Sequence, residues 1–270
     1  MTQISTHDSL QHSPQTNIGT LGVIPARLAS TRLARKVLRE IAGRPMLALV
    51  YDAAKACPQL DHLIIATDSD EIVALCNENG WPVELTPPTL PSGTDRVHAI
   101  AQSIPASIYV NIQGDEPLLQ PEHLSALLAP FAQPHVDVTT LKVRCTDENI
   151  ANPNAVKVVT AADGRALYFS RATIPYDRDQ AHPAYWKHIG LYAYRRDALN
   201  RFAELPPSPL ELTERLEQLR LLENNFTLYV SPTDFDTIGV DTEADLERVE
   251  AILKESVLPD RPAARGAVPS

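Results

Sequence analysis

Short apolar runs alternate with amphipathic stretches through the first half of the chain. Leu21 to Ile24 is an unbroken apolar run closed by Pro25, the signature of a strand covered on both faces. Leu63 to Ala66 and a segment near Ser107 to Ile112 repeat it. Between them, Leu47, Val50, Tyr51 and Ala54 recur at helical spacing behind Pro45, which predicts a helix with that proline in its first turn. A second helix follows Asp68, a carboxylate able to cap it. Strand and helix in alternation predict an α/β fold: a mostly parallel sheet flanked by helices.

The pattern changes at Asp137. Val138 to Val143, Val156 to Thr160, Ala166 to Phe169 and Ile189 to Tyr194 are extended runs with few helices between them, which predicts an inserted or appended β-rich portion over about 137–210. Leu212, Leu216, Leu219 and Leu222 then mark one buried face of a helix over Leu210 to Glu223, with Glu211, Glu214, Glu217 and Gln218 at other angles. A strand at Thr227 to Val230 and a helix at Asp245 to Leu253 close the pattern. Polar, Gln/Ser/His-rich residues before this pattern and aperiodic Pro/Ala/Arg residues after it read as disordered tails over 1–18 and 256–270. The folded unit is expected over 19–255.

Composition narrows the class. With 270 residues, 44% hydrophobic and 21% charged, the chain has material for one large domain or two small ones. No run approaches the length of a membrane span, and Met1 to Thr20 lacks the basic head and apolar centre of a signal peptide, so a cytoplasmic location is expected. Cys57, Cys76 and Cys145 lie far apart without metal-ligand spacing and read as reduced packing residues. A net charge of -10 disfavours a nucleic-acid binder, while the local cluster of cations from Arg27 to Arg44 points to a small anion.

That cluster follows the first strand. Arg27, Arg32, Arg35 and Lys36 stand in a loop with Ser30 and Thr31 between them, a set suited to a triphosphate, since arginine forks and loop amides both grip phosphate oxygens. The same residues also fit a solvated basic turn. After the Ser107 to Ile112 run come Gln113, Gly114, Asp115, Glu116 and Pro117. Asp115 at a strand end is a half-site for a hard cation, which takes one or two carboxylates and completes its shell with phosphate and water; it also fits a β-turn built on Gly114 and Pro117. Ser92 to Arg96 follows a proline-stiffened loop: Ser92 and Thr94 can hydrogen-bond a base or ribose and Arg96 a phosphate or carboxylate, or Ser92 can be an ordinary helix cap. Asp241 is either a cap of the last helix or a second carboxylate beside Asp115. Arg171, His188, Tyr192, Glu214 and Gln218 fall in mixed polar and aromatic stretches that together can line a pocket for a polyhydroxylated acid, or separately be core and solvated residues.

Taken in order, PARLASTRLARK, ATDSDEI, SGTDR, NIQGDEP, NPNAVKVV, ALYFSRATIP, KHIGLYAY, ERLEQLRLLEN and VDTEADLERV make the stretch from about residue 20 to 253 resemble the 3-deoxy-manno-octulosonate (Kdo) cytidylyltransferases. The resemblance implies a nucleotidyltransferase-type sheet, a homodimer assembled through the β-rich portion, and formation of CMP-Kdo and pyrophosphate from CTP and Kdo for lipopolysaccharide synthesis, without a nucleic-acid or membrane partner. It implies that Arg27, Ser30, Arg32, Lys36, Ser92, Arg96 and Gln113 meet CTP. Asp115 and Asp241 would hold Mg2+, so that Arg27, Lys36, Asp115 and Asp241 form the catalytic set, and Arg171, His188, Tyr192, Glu214 and Gln218 would surround the sugar acid.

Two departures stand out. The phosphate loop of the family usually continues Leu-Pro-Gly-Lys-Pro-Leu, where this chain has Leu33-Ala34-Arg35-Lys36-Val37-Leu38, and Leu90 stands where a histidine is usual. An enzyme acting on 8-amino-Kdo or another sugar acid, or a non-catalytic nucleotide-binding relative, are the alternatives. A CMP-sialate synthetase would carry R-x-G-S-K-x-x-x-x-K in the loop, which is absent here.

Overall fold

The computed structural model describes residues 18–28 and 33–257. Its strands are β1 (Ile18–Ala26), β2 (Glu40–Ile41), β3 (Arg44–Pro45), β4 (His62–Thr67), β5 (Val83–Leu85), β6 (Ala106–Asn111), β7 (Val138–Arg144), β8 (Lys157–Thr160), β9 (Ala166–Ser170), β10 (Trp186–Arg195) and β11 (Leu228–Pro232). The helices are α1 (Met46–Lys55), α2 (Asp70–Asn79), α3 (Gly93–Ser103), α4 (Pro121–Leu128), α5 (Asp147–Ile150), α6 (Arg196–Ala203), α7 (Pro209–Glu214), α8 (Gln218–Glu223) and α9 (Glu243–Val257). The folded unit therefore reaches one residue further at Ile18 and two at Val257 than expected. Otherwise the expected tails lie outside the described residues.

The main sheet runs β11-β7-β10-β6-β1-β4-β5. β1 pairs in parallel with both β4 and β6, β4 with β5 and β11 with β7, whereas β10 is antiparallel to both of its sheet neighbours, β6 and β7. The β-rich portion is thus not a separate layer. β7 and β10 extend the central sheet, and only the β8–β9 pair hangs from β10. Hydrophobic periodicity shows that a strand is buried but not which neighbour buries it, which is why the sequence reading sets this portion apart.

β1 shows why its apolar run is continuous. Ile24 and Ala26 face a cluster with Leu47, Val50 and Ala54 of α1 and Leu124 and Leu127 of α4, while Leu21 and Val23 face Val97 and Ile100 of α3 and Leu199 and Phe202 of α6. Both faces are dry, as the three-layer arrangement requires. A smaller cluster of Leu33, Ile41, Met46, Val240, Leu246 and Val249 fastens α9 beneath the segment entering α1. At about 1.5–3 kcal/mol for each fully buried aliphatic side chain, this patch is strong enough to hold α9 against the segment from Leu33 to Met46.

Three local expectations need correction. α2 is capped by Ser69, whose hydroxyl accepts from the Ile72 amide at 3.4 Å, and not by Asp68. Pro45 stands just before α1, in extended backbone, rather than in its first turn. The helix expected over Leu210 to Glu223 is two: α7 ends at Arg215, which is left-handed at φ 56°, and α8 restarts behind it. Leu212 is consequently exposed and Gln218 buried, the reverse of a single amphipathic helix.

Candidate active site

In the parallel part of the sheet the chain proceeds from β1 to β4 and β5 on one side, then returns to β6 on the other. This reversal makes the carboxyl ends of β1 and β6 a crevice, the usual ligand position in open α/β sheets. Gly114, just beyond β6, is pressed against it: a Cβ there would stand 2.9 Å from the Pro25 carbonyl oxygen. Only glycine permits that approach, and Asp115 follows directly.

Asp115 meets two other residues of the reading. The Lys36 ammonium donates to Asp115 Oδ2 at 2.5 Å and to Asp241 Oδ1 at 2.9 Å, and the Val240 amide donates to the Asp115 carbonyl at 2.9 Å. One nitrogen touching both carboxylates brings residues separated by more than a hundred positions within joint reach of a single atom. Thr242 and Asp245 form the reciprocal hydrogen bonds at the start of α9, so the capping task is theirs and the Asp241 side chain turns to Lys36. Burial alone would lower the Lys36 pKa, but the two carboxylates outweigh it and raise the value.

Lys36 is presented by a tight 3-10 turn over Lys36–Leu38. Arg35 before it is left-handed at φ 55°, the conformation glycine adopts freely, so this chain keeps a glycine-type turn with an arginine in it. The added guanidinium pairs with Glu71 of α2 on the surface. Ser30 and Arg32 lie outside the described residues.

The opposite wall is the start of α3. Arg27 donates to the carbonyls of Leu90, Pro91 (3.4 Å) and Ser92 (3.1 Å), tying the proline loop to the end of β1. Ser92 caps α3 reciprocally with Asp95, and its hydroxyl also donates to the Asp95 carboxylate at 2.7 Å. The Gln113 amide donates to Asn111 at 3.2 Å and stands beside Gly93, where a Cβ would be 3.6 Å from it. Arg96 departs from the expectation of a ligand-facing cation. It is wholly buried, paired with Asp68 and hydrogen-bonded to Thr86, so it clips α3 to the ends of β4 and β5. Its position on the inner face of α3 was not readable from residue type.

A cleft of about 600 Å³ opens beside the carboxylates and is lined by Glu116, Arg171, Lys187, His188, Gly190 and Asp241 among others. β10 shifts register between Ile189 and Tyr192, which carries His188 and Gly190 to its wall. Burial pushes the His188 pKa down to about 3, so the ring is neutral; it shares a 2.9 Å hydrogen bond with Thr140 and stands edge-on to Phe169. Arg171 is fixed by its Nε donating to the Glu214 carbonyl at 2.8 Å, while Glu214 Oε2 accepts from the Arg171 amide at 3.0 Å and Oε1 from Ser170 at 2.6 Å.

The structure thus brings Arg171 and His188 to the cleft with Asp241 and sets Tyr192, Glu214 and Gln218 behind it. Tyr192 packs on His188, Glu214 holds Arg171, and Gln218 is buried at the start of α8. The break at Arg215 turns that helix inward. Sequence reasoning missed Glu116, which lines the cleft with a pKa raised to about 7 by burial and by Asp115, and Lys187, which pairs with Asp236 at 2.7 Å. Both sit inside motifs already singled out, beside the residue chosen from each.

Comparison with known proteins agrees with this geometry. A family model described as cytidylyltransferase matches residues 21–232. The chain is 65% identical over 240 residues to the 3-deoxy-manno-octulosonate cytidylyltransferase of Acidobacterium capsulatum, covering 88% of this chain and 98% of that protein. It is 57% identical over 256 residues to the enzyme of that name from Koribacter versatilis, covering 93% and 98%. The solved structure of CMP:2-keto-3-deoxy-manno-octonic acid synthetase complexed with CTP superposes with a TM-score of 0.85 at 38% identity, over 88% of this chain and 100% of that one. The chain belongs to the 3-deoxy-manno-octulosonate cytidylyltransferase family.

Proposed function

We propose that the protein transfers the cytidylyl group of CTP to Kdo, giving CMP-Kdo and pyrophosphate. The observation that carries this reading is the convergence of Lys36, Asp115 and Asp241 at the carboxyl ends of β1 and β6, next to a polar cleft. The anomeric hydroxyl oxygen of Kdo forms a bond to the α-phosphorus as the bond to the pyrophosphate oxygen breaks, and the hydroxyl proton is released to water. No covalent intermediate on the protein is required. The protein's work is alignment and charge neutralisation.

Each wall has a task in that scheme. Arg27 holds the Leu90–Ser92 carbonyls and so sets the entrance to α3, where Gln113 and the helix amides face the nucleotide. Lys36 supplies positive charge where pyrophosphate departs. Arg171 and Lys187 supply it where the sugar carboxylate enters.

The Asp115 and Asp241 oxygens, reached by one ammonium, fit Mg2+, which takes one or two carboxylates and leaves the rest of its shell to phosphate and water. Among the described residues no group of three or more His, Cys, Asp or Glu side chains is arranged to hold a metal ion. Held by Asp115 and Asp241, Mg2+ would neutralise triphosphate charge and lower the repulsion between the two anionic substrates.

We further propose a homodimer through the β-rich portion, supported by the exposed Leu167 and Tyr176 within it and the exposed Leu212 on α7 just after it. Among the described residues no helix is long and apolar enough to cross a membrane, and a cytoplasmic setting would supply CTP and keep the three thiols reduced. Purified protein with CTP and Mg2+ is offered Kdo, 8-amino-Kdo or sialate and pyrophosphate is measured. Release with Kdo is expected; release with sialate alone would reject the assignment.

A further inference from the structure

Lys157 is fully buried on β8, inside an otherwise apolar run. A lysine has three protons to donate, and its ammonium donates at 2.7 Å to the carbonyl of Asn152, at 2.6 Å to that of Ala155 and at 2.9 Å to that of Arg171. All three acceptors belong to residues that line the cleft. The connection is closed from the other side, because Arg171 Nη1 donates to the carbonyl of Pro153 at 3.1 Å, within the same 152–155 loop.

The loop and the arginine are therefore interlocked through one ammonium that faces carbonyls and not the cleft. A buried charge is a poor means of filling space, since an apolar residue of similar length would be less costly to desolvate. What the ammonium adds is direction: it draws two separate chain segments to fixed distances from one point. We propose that Lys157 is a positioning residue for the sugar acid, setting the wall formed by the 152–155 loop and Arg171 without touching substrate. This inference rests on the assignment of the cleft to Kdo.

Positioning of one substrate's wall predicts a selective effect. In Lys157→Met the KM for Kdo should rise about tenfold while the KM for CTP and kcat stay within about twofold, the pattern of lost uniform binding. Pro153→Gly, at an exposed loop position, should raise the KM for Kdo several-fold in the same selective way. If Lys157→Met does not fold, Pro153→Gly alone decides. A Kdo KM unchanged in the folded variants, or a CTP KM rising in parallel, would overturn the inference. Wild-type protein inactive with Kdo would instead overturn the assignment of the cleft.

Discussion

Lys36 brings one positive charge to two carboxylates, and that imbalance governs what each substitution at the centre does. Asp115→Ala removes the carboxylate at 2.5 Å but keeps the backbone carbonyl that Val240 uses, so the fold should persist while turnover with Mg2+ falls by about a thousandfold or more. Circular dichroism alongside the pyrophosphate assay checks both halves. Arg35 makes the opposite prediction. Its side chain pairs with Glu71 at the surface, so Arg35→Gly should leave the KM for CTP unchanged within about twofold; its backbone is left-handed, so stability should also change little, relief of left-handed strain compensating the greater freedom of the unfolded chain. A CTP KM several-fold higher would show that the extra charge reaches the nucleotide. Residue type offered Asp115, Lys36 and Asp241 only beside a turn, a solvated loop and a helix cap, and it is the fold that brings the three together. Residue type misdirected at Arg96, where the same guanidinium chemistry serves a buried ion pair with Asp68.

At the scale of elements, the α7–α8 corner determines how Arg171 is held, and Glu211 and Arg220 hold the corner. Arg220 Nε donates to Glu211 at 2.7 Å, and both side chains are largely buried. Burial alone would raise the Glu211 carboxyl, but Arg220 and the Ser208 amide outweigh it and hold it below its ordinary 4.5. A depressed carboxylate contributes stability that is complete above its unfolded value and disappears as pH falls through the folded one. Glu211→Gln should therefore cost about 2–3 kcal/mol at neutral pH. Denaturant titrations should show the gap from wild type closing as pH falls below 4.5. A gap independent of pH would mean that packing, not the ion pair, secures the corner. The leucine spacing over Leu210 to Glu223 could not report this corner, since the turn at Arg215 depends on contacts made after the chain has folded back.

For the whole molecule, the proposed substrates and metal should stabilise the native state, by about 2.7 kcal/mol at a ligand concentration one hundred times Kd. Thermal melts should show a clear upward shift with CTP and Mg2+ together and a smaller one with CTP alone; EDTA should abolish the difference and the turnover. Sedimentation should give a particle of twice the 29.7 kDa chain, and Leu212→Glu combined with Tyr176→Glu should halve it. The sequence by itself determined the alternation of strands and helices, the strand ends that carry Arg27 and Asp115, and the family, because these depend on local periodicity and on the order of motifs. Only the tertiary structure decided that β10 runs antiparallel through the middle of the sheet, that Arg96 faces inward, and that Asp241 arrives beside Lys36. That last meeting depends on Val240, Leu246 and Val249 packing against Leu33, Ile41 and Met46. Burial of apolar surface is non-directional and acts between segments far apart in the chain, so no local pattern encodes which partner a face will find.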